Sequence, residues 1–287
     1  RAFATALCRV RVREGGFLGF GGHVKRYLLG VENEYTPLGT TSFDQCDYFD
    51  PVRGVFGTVA AHSAEFKTCV RSENEFSVRE NGAVDVDVRI ERFGAGVGSF
   101  RKKFAEILPE YRSRYYQTLL GNVAQAASAT SELVTDIESY PASLSFSCYI
   151  PGFATIKDDS LTLTLPDFDN PIPTLGAGIR KTPFALEAGD DSVETVRVRL
   201  PEGYTEIERL PCELNFGDPA APEATWIQQC CSSRMEGKQL VIEVNRSILR
   251  RFCKDYPASS AALVRDWSRA ADARSARTIV VRKPKAL

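Results

Sequence analysis

The stretch Phe76-Ser-Val-Arg-Glu-Asn-Gly-Ala-Val-Asp-Val-Asp-Val-Arg-Ile90 carries the clearest fold signal in the chain. Apolar and polar residues alternate on both sides of Asn81-Gly82, and a period of two is typical of half-buried β-strands. An Asn-Gly pair readily supplies two residues with positive φ to a tight hairpin turn. The sequence therefore predicts an antiparallel hairpin over 74–90, with Asn81 and Gly82 both at positive φ.

The same alternation recurs along much of the chain and indicates a protein built mainly of strands. It is found in four further segments: 6–13, 161–165, 196–200 and 240–244. The last of these follows Glu236-Gly237, which predicts a second hairpin with residues 226–231 as the partner strand. A final strand is predicted over 278–281.

Two segments have the periodicity of helices instead. In the first, Ser99 is the predicted N-cap, Pro109 is expected to end or kink the helix, and the pattern then resumes as far as Ala127. The second segment, 258–271, places its apolar residues on one stripe: Leu263, Val264, Trp267 and Ala271. Strands and helices in this order predict an α+β fold, mainly β, in which a hairpin-plus-helix module precedes an antiparallel β-sandwich-like domain.

Composition limits the classes of partner that this chain is expected to bind. The 287 residues carry a formal net charge of −1, so the basic excess typical of nucleic-acid-binding proteins is missing. No apolar run approaches the roughly 20 residues that a membrane-spanning helix needs. We therefore expect neither a nucleic-acid partner nor a membrane span.

Cofactor, metal and nucleophile motifs are weak in this sequence. Residues 93–99 are glycine-rich but match neither the dinucleotide fingerprint nor the P-loop, so a tight strand-to-helix turn is predicted there. Asp44, Asp47 and Asp50 resemble a calcium loop without its glycine and final glutamate. His23 and His62 have no recognisable catalytic partner nearby in sequence. No cofactor and no metal site are predicted.

One further stretch, Tyr27-Leu-Leu-Gly-Val-Glu-Asn-Glu-Tyr-Thr-Pro-Leu-Gly39, resembles the segment that closes the catalytic core of transglutaminase-like cysteine enzymes in their bacterial multidomain branch. Tyr27, Tyr35, Pro37 and Gly39 match that pattern without a gap. The segments that follow are similar to the post-core region and C-terminal β-domain of the same branch: 110–120, 140–141, 150–154, 165–166, 180–184 and 200–204.

The resemblance implies a division into three parts and an incomplete catalytic centre. Residues 1–50 would be the end of the core, 51–130 a hairpin and long-helix module, and 131–287 a β-sandwich-like domain with one helix. The family's cysteine helix would precede this sequence, and its histidine would fall at or before Arg1. The aspartate position is occupied by Gly30, with Glu32 where threonine is usual, so no catalytic residue is predicted.

The expected role is therefore non-catalytic: a structural or binding portion that presents β-sheet surface to a polypeptide or glycan, beside the upstream catalytic core of the parent protein. Exposed strand edges could accept an extended peptide by strand addition. The resemblance also implies a periplasmic or cell-surface location. Two alternatives stay open, the C-terminal part of an active cysteine protease or acyltransferase, and a carbohydrate-binding module that uses Tyr149, Tyr204 and Trp226 for stacking.

Overall fold

A computed structural model describes residues 7–14, 23–30, 34–41, 43, 47–59, 66–166, 178, 181–186, 191–218, 221–250, 254–273 and 276–284. The strands in chain order are β1 (Leu7–Glu14), β2 (His23–Gly30), β3 (Asp47–Asp50), β4 (Val55–Thr58), β5 (Cys69–Val78), β6 (Val84–Phe93), β7 (Ser128–Ala129), β8 (Val134–Asp136), β9 (Ala142–Ile150), β10 (Thr155–Lys157), β11 (Ser160–Thr164), β12 (Phe184–Leu186), β13 (Asp191–Arg199), β14 (Glu206–Arg209), β15 (Leu214–Asp218), β16 (Ala221–Glu236), β17 (Gln239–Arg250), β18 (Lys254–Tyr256) and β19 (Thr278–Arg282). The helices are α1 (Gly96–Glu106), α2 (Pro109–Val123) and α3 (Ala261–Asp272), with a 3-10 turn at Ala258–Ser260.

The chain forms two compact units. The first comprises Arg1–Val70, Glu91–Ile107 and Thr135–Ser143, and the second comprises Arg71–Ile90, Leu108–Val134 and Leu144–Leu287. The predicted three-part division at residues 50 and 130 stays a prediction.

The first unit contains two small antiparallel hairpins, β1–β2 and β3–β4. Arg9 of β1 donates from Nη2 to Asp50 Oδ2 of β3 at 2.8 Å, which links the two hairpins. In β3–β4, Phe49 lies opposite Phe56 in register, with 5.0 Å between the ring centres. The same unit contains α1, whose side chains Val97, Phe100 and Phe104 are buried.

Most of the second unit is a large antiparallel sheet. Among the described residues its strand order is β15-β16-β17-β13-β5-β6-β9-β7, with β8 also paired to β9. The side chains of one face, the inner face, are apolar and buried; among them are Phe76, Val86, Leu144, Val198 and Ile242. The opposite, outer face carries the polar residues that alternate with them. The predicted α+β, mainly β fold with antiparallel sheets is confirmed.

A second sheet of the same unit has the order β10-β11-β19-β14 within the described residues. Leu161 and Leu163 of β11 pack with Ile279 and Val281 of β19 at 1% exposure or less. Burial of each such aliphatic side chain contributes about 1.5–3 kcal/mol to folding. These strands supply the apolar alternation that the sequence predicted.

The first predicted hairpin is present, but its turn differs from the prediction. Gly82 has a φ of +80°, whereas Asn81 does not have a positive φ. Arg79 N donates to Ala83 O at 2.8 Å, and Asn81 accepts the Ala83 N–H through its side chain at 3.0 Å. Asn81 therefore contributes an Asx-type hydrogen bond, and only the glycine provides the left-handed conformation.

The first helical segment begins and ends differently from the prediction. Helix α1 starts at Gly96, so Ser99 lies inside its first turn and is not the N-cap. The N–H groups of Gly94 and Ala95 instead donate to the hydroxyls of Tyr140 and Thr68, at 3.0 and 3.2 Å. These partners lie 46 and 27 residues away, which local sequence cannot indicate.

Pro109 separates the two helices as predicted. Ile107 and Leu108 are extended, as expected before a proline, and Pro109 is the first residue of α2. Helix α2 ends at Val123 and not at Ala127, because the chain then pairs with β9 through Ser128 and Ala129.

Helix α3 confirms the second helical segment. Val264 and Trp267 are buried with Ile227, Ile248 and Tyr256 in one apolar cluster. Leu263, predicted on the same stripe, is 40% exposed, because the buried face is centred on Val264 and Trp267. The predicted hairpin of β16 and β17 is also present, closed by a turn at Gly237.

Candidate functional site

The outer face of the large sheet holds an open groove of about 420 Å³. We call it the groove, and its polar lining comes from β13, β5, β6 and β9 and from the segment before β8: Thr195, Arg197, Glu73, Glu75, Asp87, Arg89, Ser145, Ser147 and Ser131. Its volume lies within the range of ligand-binding clefts. Alternation along each strand places these side chains on the outer face, because neighbours in sequence point to opposite faces.

One wall of the groove is the segment Thr130–Val134. Tyr116 of α2 donates to Ser131 O at 2.7 Å, and Arg112 donates to Leu133 O at 3.0 Å. Ser131 Oγ also accepts the backbone N–H of Ser147 at 2.8 Å. These bonds attach the wall both to α2 and to β9, so its geometry is set by regular secondary structure.

The floor of the groove carries hydroxyl groups and charged side chains of both signs. Ser147 donates to Asp87 Oδ1 at 2.5 Å. Glu73, Asp87 and Arg89 are exposed, whereas Ser145 and Ser147 are half-buried. Such a surface offers donors and acceptors to a polar, extended ligand and lacks the mainly apolar lining typical of a small-molecule pocket.

Beside the groove, six charged side chains form an ion-pair network on the outer face. Its members are Glu75, Arg199, Glu236, Arg234, Glu243 and Arg197. The hydrogen bond to Asn245, with those to Arg234 and Arg197, lowers the pKa of Glu243 against the effect of burial. Hydrogen bonds from Arg234 and Arg199 likewise lower the pKa of Glu236. Glu75 and Arg197 belong to both the groove and the network, so the two features are continuous.

A polar row also crosses the inner face of the sheet, among apolar side chains. Asn74 donates to Glu194 at 2.8 Å, Arg246 donates to Glu194 at 3.1 Å, and Arg246 Nε donates to Gln229 at 2.8 Å. Gln229 in turn donates to the carbonyl oxygens of Cys212 and Ala276. Sequence reasoning missed this row, although Arg246 stands between Val244 and Ile248 on an apolar face.

The three aromatic residues predicted for stacking lie in different places. Tyr149 is half-buried on β9, two residues beyond Ser147, with the Arg79 guanidinium 5.1 Å from its ring centre. Tyr204 is only 3% exposed and lies under Lys283, which leaves little ring surface for a sugar. Trp226 lies on β16, separated from β9 by β17, β13, β5 and β6, and its side chain is outside the described residues. Carbohydrate binding stays a prediction.

The residues of the predicted core motif fall on β2 and on a turn of the first unit. Tyr27 and Gly30 lie on β2, where Gly30 pairs with Leu7, and the side chain of Tyr27 is outside the described part. Glu32, like His62, also lies outside it. No catalytic role of these positions is therefore tested by the structure.

Pro37 and Gly39 form a tight turn directly after Tyr35. Thr40 donates to Pro37 O from both its N–H (3.2 Å) and its hydroxyl (2.8 Å), and Gly39 has a φ of +98°. Tyr35 donates to Glu106 Oε1 of α1 at 3.5 Å. Burial and the nearby Glu106 and Glu34 carboxylates raise the pKa of Tyr35. In this chain the motif joins a turn to a helix.

Two cysteines of the second unit are poor candidates for a nucleophile. Burial, with smaller contributions from Asp87 and Asp85, raises the pKa of Cys148 to about 11. Burial likewise raises the pKa of Cys231 to about 11. Both thiols are therefore protonated near neutral pH, whereas a reactive cysteine needs a lowered pKa. No group of three or more potential metal ligands occurs in the part of the chain that the structure describes.

Comparisons with known proteins add no relative. No family model matches the chain, and neither the curated proteins nor the solved structures contain a match. None of the described helices combines the length and the apolar character required to cross a membrane.

Proposed function

We propose that this chain is a non-catalytic binding portion of a transglutaminase-like protein, which presents the outer face of its large sheet to a polypeptide. The observation that carries the proposal is the groove, whose polar groups lie on four neighbouring strands and on a wall attached to α2. The non-catalytic part is drawn from the resemblance, in which Gly30 occupies the position of the family's aspartate.

A polypeptide suits the groove because its main chain alternates donors and acceptors. Ser145 offers a hydroxyl group that can both donate and accept, and Thr195, whose hydroxyl donates to Asn245, can accept. Glu73 and Arg89 line the groove as exposed side chains of opposite charge, so a peptide side chain of either sign meets a complementary group there. A periplasmic or cell-surface location belongs to the same proposal and is drawn from the resemblance, as is the upstream catalytic core as neighbour.

The test is selection of ligands from a seven-residue peptide library displayed on phage, followed by binding measurements on the selected synthetic peptides. Ser145→Arg places a long side chain in the groove and is expected to abolish binding. Ser259→Arg makes the same substitution at an exposed position after β18 and serves as the matched control. Peptides that bind both variants equally would refute the groove as the site, and selection of oligosaccharides from a glycan array in place of peptides would refute the partner class.

A further inference from the structure

Within the described part of the chain, the last part of β16 is paired on one side only. Strand β15 pairs with β16 from Ala221 to Gln229, whereas β17 pairs with it from Thr225 to Glu236. On the side away from β17, none of the described strands pairs with residues 230–236. We call this segment the β16 edge.

Backbone groups of alternate residues point outward from the β16 edge. Gly237, at a φ of +62°, takes the first central position of a two-residue turn, so Glu236 and Gln239 are the closing pair. A closing pair of this kind exchanges backbone hydrogen bonds, and bonded and non-bonded pairs then alternate along an antiparallel ladder. The N–H and C=O groups of Cys231, Ser233 and Met235 therefore face away from β17.

No bulky side chain interrupts the middle of this edge. Residues 230–233 are Cys-Cys-Ser-Ser, all small, and the segment contains no proline or glycine. Cys212 and Glu213 lie near Cys231, so the part of the edge considered for binding is Ser232–Met235. Natural sheets often block an edge with charged side chains. Here Arg234 is bonded to Glu236 at 2.7 Å and to Glu243 at 3.4 Å, and Glu236 is bonded to Arg199 at 2.6 Å. These charges thus lie over the sheet and not across its edge.

We propose that the β16 edge binds an extended polypeptide by strand addition, with backbone hydrogen bonds to Ser233 and Met235. The occupant's chemistry follows from the two faces of the strand. Residues opposite Ser233 and Met235 (49% exposed) should be apolar, as Ile242 and Leu240 are on the other side of β16. Residues of the bound polypeptide that lie opposite Ser232 and Arg234 should be polar or acidic. This inference rests on the proposed function only in taking a polypeptide as the partner, and its site is separate from the groove.

The probe is a fluorescein-labelled peptide that copies Gln239–Asn245 with lysines added at both ends, because this segment already pairs with residues 230–236 from the β17 side. Binding to the full chain is measured by fluorescence anisotropy. On the outer side of β16 the peptide's Ile242 lies opposite Ser233, whose backbone groups face outward, so the N–H of the peptide's Ile242 is directed at β16. N-methylation at this position removes that donor and should weaken binding about tenfold. N-methylation at the position of Glu243 removes a donor that points away and should leave binding unchanged. Equal affinity of the two methylated peptides, or no binding of the parent peptide, would overturn the proposal.

A variant of the protein supplies the second readout. Ser233→Pro removes an outward N–H without removing a bond to β17, which edge strands tolerate. It should weaken binding about tenfold, whereas Ser233→Ala keeps the N–H and should bind as the wild type does. Thermal unfolding verifies that both variants are folded. If Ser233→Pro does not fold, the methylated peptides decide the outcome on the wild-type chain.

Sedimentation velocity on the protein alone distinguishes the other occupant. A dimer that Ser233→Pro dissociates would show that a second copy takes the edge, and would overturn the proposal. Ser145→Arg should leave the Gln239–Asn245 peptide bound. If the Gln239–Asn245 peptide does not bind but the peptides selected for the groove do, only this inference is refuted. If the Gln239–Asn245 peptide binds but no peptide binds the groove, only the proposed groove function is refuted.

Discussion

Arg246 and Glu194 face each other across neighbouring strands of the inner sheet face, with Nη1 and Oε2 3.1 Å apart. The arginine side chain is 1% exposed and the glutamate side chain 23%, so the two partners differ in their access to water. A buried ion pair of this kind contributes little net stability, but removal of one partner is costly when the other stays buried and charged.

The first prediction follows from this asymmetry. We expect Glu194→Ala to lower the free energy of unfolding by about 3 kcal/mol, because it removes the carboxylate that faces a buried guanidinium. Arg246→Met should cost clearly less, since it removes the buried charge and keeps an apolar side chain of similar length. Urea denaturation at neutral pH measures both. A larger loss of stability in Arg246→Met than in Glu194→Ala would contradict the prediction.

The second prediction concerns the turn between β5 and β6. A Cβ atom at Gly82 would lie 2.3 Å from Ala154 O, and Gly82 has a φ of +80°. Gly82→Ala should therefore destabilise the protein by about 2 kcal/mol or more. Gly121 of α2 is the control, because a Cβ there meets no atom within 4 Å. Gly121→Ala should stabilise by roughly 0.5–1 kcal/mol, because alanine favours helix. The melting temperatures of the two variants should move in opposite directions.

The third prediction is a pH dependence of the ion-pair network. The pKa values of Glu236 and Glu243 are lowered below their ordinary 4.5 by hydrogen bonds from Arg234, Arg199 and Asn245. Their contribution to stability is therefore complete above pH 4.5 and is lost as the pH falls through the lowered values. The free energy of unfolding should decrease as the pH is lowered through this acidic range. The decrease should be less steep in the double variant Glu236→Gln, Glu243→Gln. Parallel curves for wild type and variant would contradict this.

The fourth prediction concerns thiol reactivity. At pH 8, iodoacetamide should modify the exposed Cys230 and spare Cys148 and Cys231, because burial raises the pKa of both to about 11. Peptide mass spectrometry identifies the modified positions. In urea sufficient to unfold the chain, all three should react. Rapid modification of Cys148 in the folded protein would instead indicate an activated thiol and would argue for the enzyme alternative.

Local sequence was sufficient for elements that depend on neighbours along the chain. Alternation identified several strands, among them β6, β11 and β17, Pro109 identified the helix break, and Gly237 identified the turn of the second hairpin. Strand β9 was not predicted, although Ser143, Ser145 and Ser147 stand at every second position along it.

Contacts between distant segments were beyond sequence reasoning. The groove forms only because β13 lies beside β5, and Thr195 cannot be placed near Ser145 without that strand order. The start of α1 depends on Thr68 and Tyr140, and the partner of Arg246 lies 52 residues away. Such pairings are decided by global packing, which a single sequence does not encode in any local pattern.

The polypeptide passes back and forth between its two compact units, leaving the first after Val70, Ile107 and Ser143. Neither unit is a continuous stretch of chain. A cut after Ile107 divides both, because fragment 1–107 lacks Thr135–Ser143 of the first unit and fragment 108–287 lacks Arg71–Ile90 of the second. Deletions that end at this point would consequently mislead as a map of activities, and point substitutions are the appropriate genetic tool.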